Sequence, residues 1–170
     1  MSKSASDLNE TASKAAVGVD VGGTKIACGL VDATGAVLES RRVTIDANDP
    51  TGKGPFRQIA EMVCQAVDAA RGMRLAVVGC GVAVPAVLDR GSGVVIWAPN
   101  IAGWRGFPLG GLLQDATGVP VLLDHDGPAA VLGEQWMGAA RGCDHVVLLI
   151  IGTGVGAGFI LDGRVYRGAR

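Results

Sequence analysis

Two glycine-rich turns, each placed directly after a short apolar run, constrain the fold of this chain more than any other feature. The first is Asp20-Val21-Gly22-Gly23-Thr24-Lys25, and the second begins at Gly152-Thr153-Gly154 and continues through Gly158. Each turn is followed by another β-branched, apolar run, which predicts that the chain reverses between two antiparallel strands. The sequence therefore predicts two similar β-meanders, one near each end of the chain.

Apolar runs and helical spacings alternate between these two turns, and the predicted order is β-β-β-α-β-α-β-α followed by β-β-β. The run over residues 75–84 is continuously apolar, so we expect a strand buried on both faces. Residues 99–108 are predicted to form a loop. The predicted strands cover residues 16–21, 24–32, 36–45, 75–84, 91–97, 119–123, 146–151, 155–161 and 165–166, and the predicted helices cover residues 55–72, 109–116 and 127–140.

The repeat of the meander predicts one complete α/β lobe and the opening strands of a second. We expect a flexible polar tail over residues 1–15, an N-terminal lobe over residues 16–122, and the beginning of a truncated C-terminal lobe over residues 123–170. A chain of 170 residues is long enough to bury a hydrophobic core.

Composition excludes several classes of protein. The formal net charge is -1 and only 18% of residues are charged, which gives no electrostatic reason to expect nucleic acid or an anionic membrane surface as partner. The start of the chain lacks the apolar segment of a signal peptide, and no long uninterrupted apolar stretch predicts a membrane span. The four cysteines form no C-x-x-C pair, so we expect reduced thiols and a cytoplasmic protein.

The first glycine turn has the chemistry of a phosphate site. Gly22 and Gly23 allow close approach to the backbone and expose N–H groups, Thr24 and Lys25 supply a hydroxyl and a cation, and Asp20 suits a hydrated Mg²⁺. A plain β-hairpin explains the same residues. The order Thr-Lys and the strand that follows exclude a Walker A loop.

The second turn offers similar backbone chemistry at Gly152, Thr153 and Gly154. Its glycines recur at every second position, which leaves one face of a strand without side chains. A ligand could approach that face, or a helix could pack tightly against it.

Asp124, His125 and Asp126 stand where a predicted strand meets a predicted helix. Ligands bind at strand ends in open α/β sheets, and a carboxylate there can take a proton from an attacking hydroxyl. An N-cap role for Asp126 is the alternative. With two histidines and no H-E-x-x-H spacing, no dedicated metal site is predicted.

In combination these motifs resemble the ROK family of repressors, uncharacterised reading frames and sugar kinases, and its glucokinases in particular. The resemblance runs from Val17 to about Ala169. The matching segments are residues 19–25 for the first phosphate motif, 81–86 for G-x-x-V-P-G, 99–104 for P-N-L…G-W, 121–134 for the stretch around N-D-A-N, and 151–156 for G-T-G-(I/V)-G.

The resemblance implies an actin-like, RNase H-like ATPase fold and ATP-dependent phosphorylation of a sugar hydroxyl, with ATP and Mg²⁺ as cofactors. Asp126 aligns with the general base of the family, and Asn100, His125 and Glu134 fall at the sugar. When full length, such a protein is expected to be a homo-oligomer, a dimer. The phosphate and Mg²⁺ contacts implied by the resemblance are Asp20, Gly22, Gly23, Thr24, Lys25, Gly152, Thr153 and Gly154.

The sequence departs from the family at His125, Gly127 and Pro128, which replace Asn, Ala and Asn of N-D-A-N. Another hexose or a cyclitol therefore stays open as substrate. A non-catalytic sugar-binding fragment and a repressor-type protein also stay open, although the absence of a basic stripe disfavours DNA binding. The loop with Asn100 and Trp104 argues against a kinase for small acids.

Overall fold

The computed structural model describes residues 13–152 and 154–168. The elements alternate as the sequence predicts, with two additional short strands. The strands are β1 (Lys14–Val21), β2 (Lys25–Asp32), β3 (Val37–Thr44), β4 (Ala76–Ala83), β5 (Val87–Asp89), β6 (Val94–Trp97), β7 (Arg105–Phe107), β8 (Val121–Asp124), β9 (Val146–Ile151), β10 (Val155–Leu161) and β11 (Arg164–Tyr166). The helices are α1 (Lys53–Gly72), α2 (Leu109–Thr117) and α3 (Asp126–Met137).

The largest sheet has five strands in the order β3-β2-β1-β4-β8. The first three strands form the predicted antiparallel meander, because tight turns join them. Strands β4 and β8 run parallel to β1, and the connections that lead into them contain α1 and α2. The carboxyl ends of β1, β4 and β8 therefore meet at one edge of the sheet.

One face of this sheet carries the hydrophobic core. Strand β1 alternates strictly, so that Val17, Val19 and Val21 point inward while Gly18 and Asp20 point to the other face. Helix α1 packs on the inward face through apolar residues spaced three and four apart, among them Ile59 and Val63. None of the helices over residues 13–168 that the structure describes is both long and apolar enough to cross a membrane.

The opposite face of the sheet is open over much of its area. The prediction that residues 75–84 are buried on both faces is wrong, since Gly81 is exposed and Val78 is 53% exposed. The open face is floored by small residues, and a methyl group added to Gly18 or Gly81 would meet nothing within 4 Å. A cleft of about 500 Å³ lies over this floor, with Leu132 of α3 among its lining residues.

Strands β9, β10 and β11 form a separate antiparallel sheet, and α3 packs on one of its faces. The contact is close because Gly127 of α3 lies directly against Gly158 of β10. The other face carries large apolar side chains in the open, of which Val155 is 80% and Ile151 is 79% exposed.

Strands β5, β6 and β7 form a small third sheet that the sequence predicts only in part. Residues 105–107 lie in the predicted loop but pair with β6, Arg105 opposite Trp97. Three residues are too few for a readable alternation, and the pairing depends on tertiary contacts.

Some strands and helices differ by a few residues from the predicted bounds, and residues 1–12 of the predicted tail lie outside the described residues. Lys14 and Ala15 belong to β1 and not to the tail, because Ala15 pairs with both Asp32 and Val77. Strand β8 continues to Asp124, so the first sheet extends beyond residue 122. Helix α3 ends at Met137 instead of residue 140, since the backbone of Gly138 is extended.

Candidate active site

A single row of residues crosses all five strands of the main sheet at its carboxyl edge. Asp20 pairs with Ala27 on one side and with Ala83 on the other. Beyond these alanines, Arg42 pairs with Ala27 and Asp124 pairs with Ala83. Paired residues share a face, so three charged side chains stand on the open face, separated by two alanines. Neighbouring strands are about 4.8 Å apart, which leaves room for a ligand between the charges.

Asp20 lies within electrostatic reach of Asp126. Burial raises the pKa of the Asp20 carboxyl above its ordinary value, the negative charge of Asp126 raises it further, and the guanidinium of Arg42 acts in the opposite direction. A partly buried carboxylate that also experiences a second negative charge is a favourable place for a cation. Asp20, the predicted Mg²⁺ contact, thus experiences the charge of Asp126, the predicted base.

The first glycine turn is a β-hairpin with an exposed tip. The Gly22 N–H donates to the carbonyl of Lys25 at 2.8 Å, and the Ile45 N–H donates to the carbonyl of Thr24 at 3.1 Å. Gly23, Thr24 and Lys25 are exposed. The turn is therefore a β-hairpin whose exposed tip is also accessible to a phosphate group, so the two interpretations do not exclude each other.

Asn100 stands next to this turn. A methyl group at Gly23 would lie 3.9 Å from the Cβ of Asn100. The loop that carries Asn100 is fixed by Trp104, which is buried and stacks on Phe107 with ring centroids 5.7 Å apart. The structure therefore joins the predicted phosphate turn with one predicted sugar contact.

Asp126 is the first residue of α3, and His125 occupies the N-cap position without a side-chain hydrogen bond. The N-cap interpretation of Asp126 does not describe this geometry. Its carboxylate accepts the Gly127 N–H at 2.8 Å and the residue is exposed. A negative charge in the first helical turn is stabilised by the helix dipole. Pro128 is tolerated there because the first turn needs no N–H at that position.

His125 points to a different space. It lines a cavity of about 440 Å³ together with Arg90, Asp124 and Arg167. Asn100 lines another cleft, formed by the loop that includes Trp104. The two predicted sugar contacts therefore do not border one common cavity.

The glycines of the second turn lie in two different environments. The Gly152 N–H donates to the carbonyl of Gly154 at 2.9 Å, and both glycines are exposed at the tip of the β9–β10 hairpin. Thr153 lies outside the described residues. Gly158 packs against α3, where a methyl group would collide with the carbonyl of Gly127. The helix-packing interpretation thus holds for Gly158.

Glu134 is not brought to the site. Its carboxylate accepts the Ala139 N–H at 2.9 Å, and its carbonyl accepts the N–H groups of Gly138 and Ala140. Eight residues of helix place it about 12 Å along the axis from Asp126. Glu134 therefore caps the C-terminal end of α3. The G-E motif in the sequence does not predict this structural role.

Arg42 is a site residue that sequence reasoning missed. It faces the cleft over the glycine floor, and its positive charge offsets part of the rise in the pKa of Asp20. The alternation of β3 could have placed Arg42 on the Asp20 face, but only the register of both strand pairs puts them in one row.

Known proteins with similar sequences include kinases and repressors. The chain is 40% identical over 153 residues to a glucokinase of Thermotoga maritima, covering 89% of this chain and 46% of that protein. It is 30% identical over 154 residues to the xylose repressor of Bacillus subtilis, covering 89% of this chain and 38% of that protein. The chain spans about half the length or less of these curated relatives.

A solved structure shows the same fold. It is a ROK family glucokinase from Streptomyces griseus in complex with glucose and AMPPNP, 36% identical, with a TM-score of 0.77 over 91% of this chain and 46% of that one. The predicted actin-like α/β fold is thereby confirmed. Residues 16–170 match the ROK family profile. The chain belongs to the ROK family.

Proposed function

We propose that this protein phosphorylates a hydroxyl of a sugar with ATP, and that Asp126 is the general base. The observation that supports this most directly is the position of Asp20 near the end of β1 and of Asp126 just after β8, at the carboxyl edge of the parallel strands and beside an exposed glycine turn. The similarity to glucokinases, one of them bound to glucose and an ATP analogue, supports the same activity.

In this proposal Asp126 takes the proton of the attacking sugar hydroxyl. The hydroxyl oxygen forms a bond to the γ-phosphorus of ATP while the bond from that phosphorus to the leaving ADP oxygen breaks. The backbone N–H of Gly23, the Thr24 hydroxyl and the Lys25 ammonium balance charge on the phosphoryl oxygens, while the Gly22 N–H keeps its hydrogen bond to the Lys25 carbonyl. Thr153 and Gly154 act in the same way from the second sheet, while the Gly152 N–H keeps its hydrogen bond within the hairpin.

Asp20 and Asp126 suit Mg²⁺, which is commonly held by one or two carboxylates, water and substrate phosphates. The raised pKa of Asp20 agrees with this, because a bound cation would remove the repulsion between the two carboxylates. Bound Mg²⁺ would neutralise charge on the phosphates. Arg42 lies across the row from Asp20 and would hold its carboxylate in place.

The substrate in this proposal is a hexose, or a cyclitol of similar shape. Asn100 offers both a donor and an acceptor to sugar hydroxyls. His125 differs from the usual Asn and lines a cavity with two arginines. That change favours a substrate that differs from glucose at the position His125 faces.

The direct experiment is a coupled ADP-release assay over a panel of hexoses and cyclitols, with the Asp126→Asn variant compared with wild type. We expect the variant to lose turnover. Asp115→Asn, the same change on an exposed carboxylate of α2, is the control and should retain it. Turnover by Asp126→Asn would refute the assignment of the base, and wild-type sugar binding without ADP release would indicate a non-catalytic sugar-binding protein.

A further inference from the structure

Asp124 ends β8, two residues before Asp126, and belongs to the row of residues that also contains Asp20. Its side chain is 22% exposed. It borders the cavity of about 440 Å³ that is also lined by His125 and Pro128. The backbone here is fixed as well, because the Val84 N–H donates to the carbonyl of Asp124 at 3.0 Å.

Two arginines from two other sheets converge on this carboxylate. Arg167, which follows β11, donates from Nη2 at 2.7 Å and from Nε at 3.3 Å to Oδ2. Arg90, in the turn between β5 and β6, places Nη1 3.5 Å from Oδ1. The N–H of His125 also donates to Oδ1 at 3.0 Å. One carboxylate thus connects all three sheets.

This arrangement differs from the other ion pairs in residues 13–152 and 154–168. Each of those pairs joins residues of one strand, of one helix, or of two turns at the end of one sheet. They are Arg41–Glu39, Arg71–Asp68 and His145–Asp162. Local surface pairs of this kind contribute little to a fold, whereas the Asp124 pairs join residues of separate sheets.

The point where the sheets meet is also where the proposed base is placed. Helix α3 begins at Asp126 and packs on the second sheet through Gly127, while β8 belongs to the first sheet with Asp20. Any rotation of the second sheet about the β8–α3 junction therefore moves Asp126 relative to Asp20. Arg167 and Asp124 connect the second sheet to the first across this junction.

We propose that Asp124 is a positioning residue: its carboxylate, bound by Arg90 and Arg167, fixes the β8–α3 junction and thereby the place of the Asp126 carboxylate. This inference rests on the function proposed above. In this role Asp124 acts through the position of Asp126 and not on the reacting atoms. Displacements of about 1 Å at a reacting group can cost roughly 100-fold in rate, so the junction needs a stiff connection.

The test compares Asp124→Asn, Arg167→Gln and the double variant in steady-state ADP release. We expect each single variant to lower kcat by roughly 10- to 100-fold with KM for sugar and ATP near wild type. The double variant should fall no further than Asp124→Asn, because both changes break one contact. Asp124→Glu should restore part of kcat, since the longer carboxylate still reaches Arg167.

Asp162→Asn is the matched control. It makes the same change on a carboxylate whose side chain is 91% exposed, at a positive φ of 51° that Asn tolerates, and should leave kcat unchanged. The positioning role is refuted, and the proposed function is not, if Asp124→Asn keeps the wild-type kcat. It is also refuted if the losses of kcat in Asp124→Asn and Arg167→Gln multiply in the double variant. A wild-type protein without sugar phosphorylation would overturn the proposed function and the positioning role with it.

Discussion

The indole Nε1–H of Trp104 donates to the carbonyl of Gly52 at 3.0 Å, and the bond is buried. Gly52 is the N-cap of α1, and its positive φ of 68° brings its backbone against that of Gly103. The helix that covers the core is thereby joined to the loop that carries Asn100. The interaction gives Trp104 a structural task beside a candidate site.

Trp104→Phe should lower the free energy of unfolding by about 1–3 kcal/mol, because the buried Gly52 carbonyl loses its donor. Urea denaturation of the two proteins measures the difference. Trp136→Phe, at a tryptophan that is 53% exposed, is the control and should change little. Equal stability of Trp104→Phe and wild type would show that the bond does not hold the loop.

The contrast between Trp104 and Asp126 shows how far sequence reasoning reached. Asp126 could be placed because a strand end followed by a helix start is local information, and the structure has that junction. The bond from Trp104 to Gly52 joins residues 52 positions apart, and no local pattern reports such a distance. The resemblance marked the G-W motif without giving its physical role.

The second glycine turn shows the same limit. Alternating glycines predicted a strand face without side chains, but the same glycine pattern suits a ligand that binds to this face and a helix that packs on it. The packing of Gly127 on Gly158 shows that Gly158 belongs to the buried, helix-packing part of this segment and not to the exposed tip of the hairpin. It also gives a physical reason for Gly127, where the family pattern has Ala, since a methyl group there would collide with the carbonyl of Ala157.

Gly158→Ala should therefore destabilise the protein by about 1–3 kcal/mol, as overpacking usually does. The added methyl group meets the carbonyl of Gly127, which is backbone and cannot move aside cheaply. Thermal unfolding measures the effect. Gly133→Ala in α3, the helix that Gly158 packs against, is the control, since nothing lies within 4 Å of the added methyl group; it should stabilise by about 0.5–1 kcal/mol.

A variant of Glu134 separates its two interpretations. If Glu134 closes the end of α3, Glu134→Ala should cost about 1 kcal/mol of stability, the usual value of one hydrogen bond. The KM for sugar should then stay at the wild-type value. Chemical denaturation and sugar titration on one preparation give both numbers. A large rise in KM without loss of stability would return Glu134 to the substrate site.

The Asp20 carboxylate is expected to lower the free energy of unfolding at neutral pH while it contributes to ATP and Mg²⁺ binding. The pKa of Asp20 is raised above 3.8 in the folded protein. Between pH 3.8 and the raised pKa, Asp20 is therefore protonated more often in the folded state than in the unfolded chain. Stability contributed by Asp20 therefore falls as pH rises through this window. Asp20→Asn removes the charge, and at neutral pH it should be more stable than wild type by at most about 1 kcal/mol, since solvent screens this half-exposed group.

The same variant should lose ATP and Mg²⁺ binding, which calorimetry measures. Asp32→Asn is the control of opposite sign, because hydrogen bonds from Thr34 and its neighbours lower the pKa of Asp32. The stability that Asp32 provides is present above 3.8 and is lost as pH falls through its folded pKa, so Asp32→Asn should be less stable than wild type at neutral pH. Urea midpoints measured from about pH 3 to about pH 8 distinguish the two slopes. If Asp20→Asn is destabilised at neutral pH, the Asp20 carboxylate does not weaken the fold, and the cation site proposed to relieve its unfavourable charge fails with it.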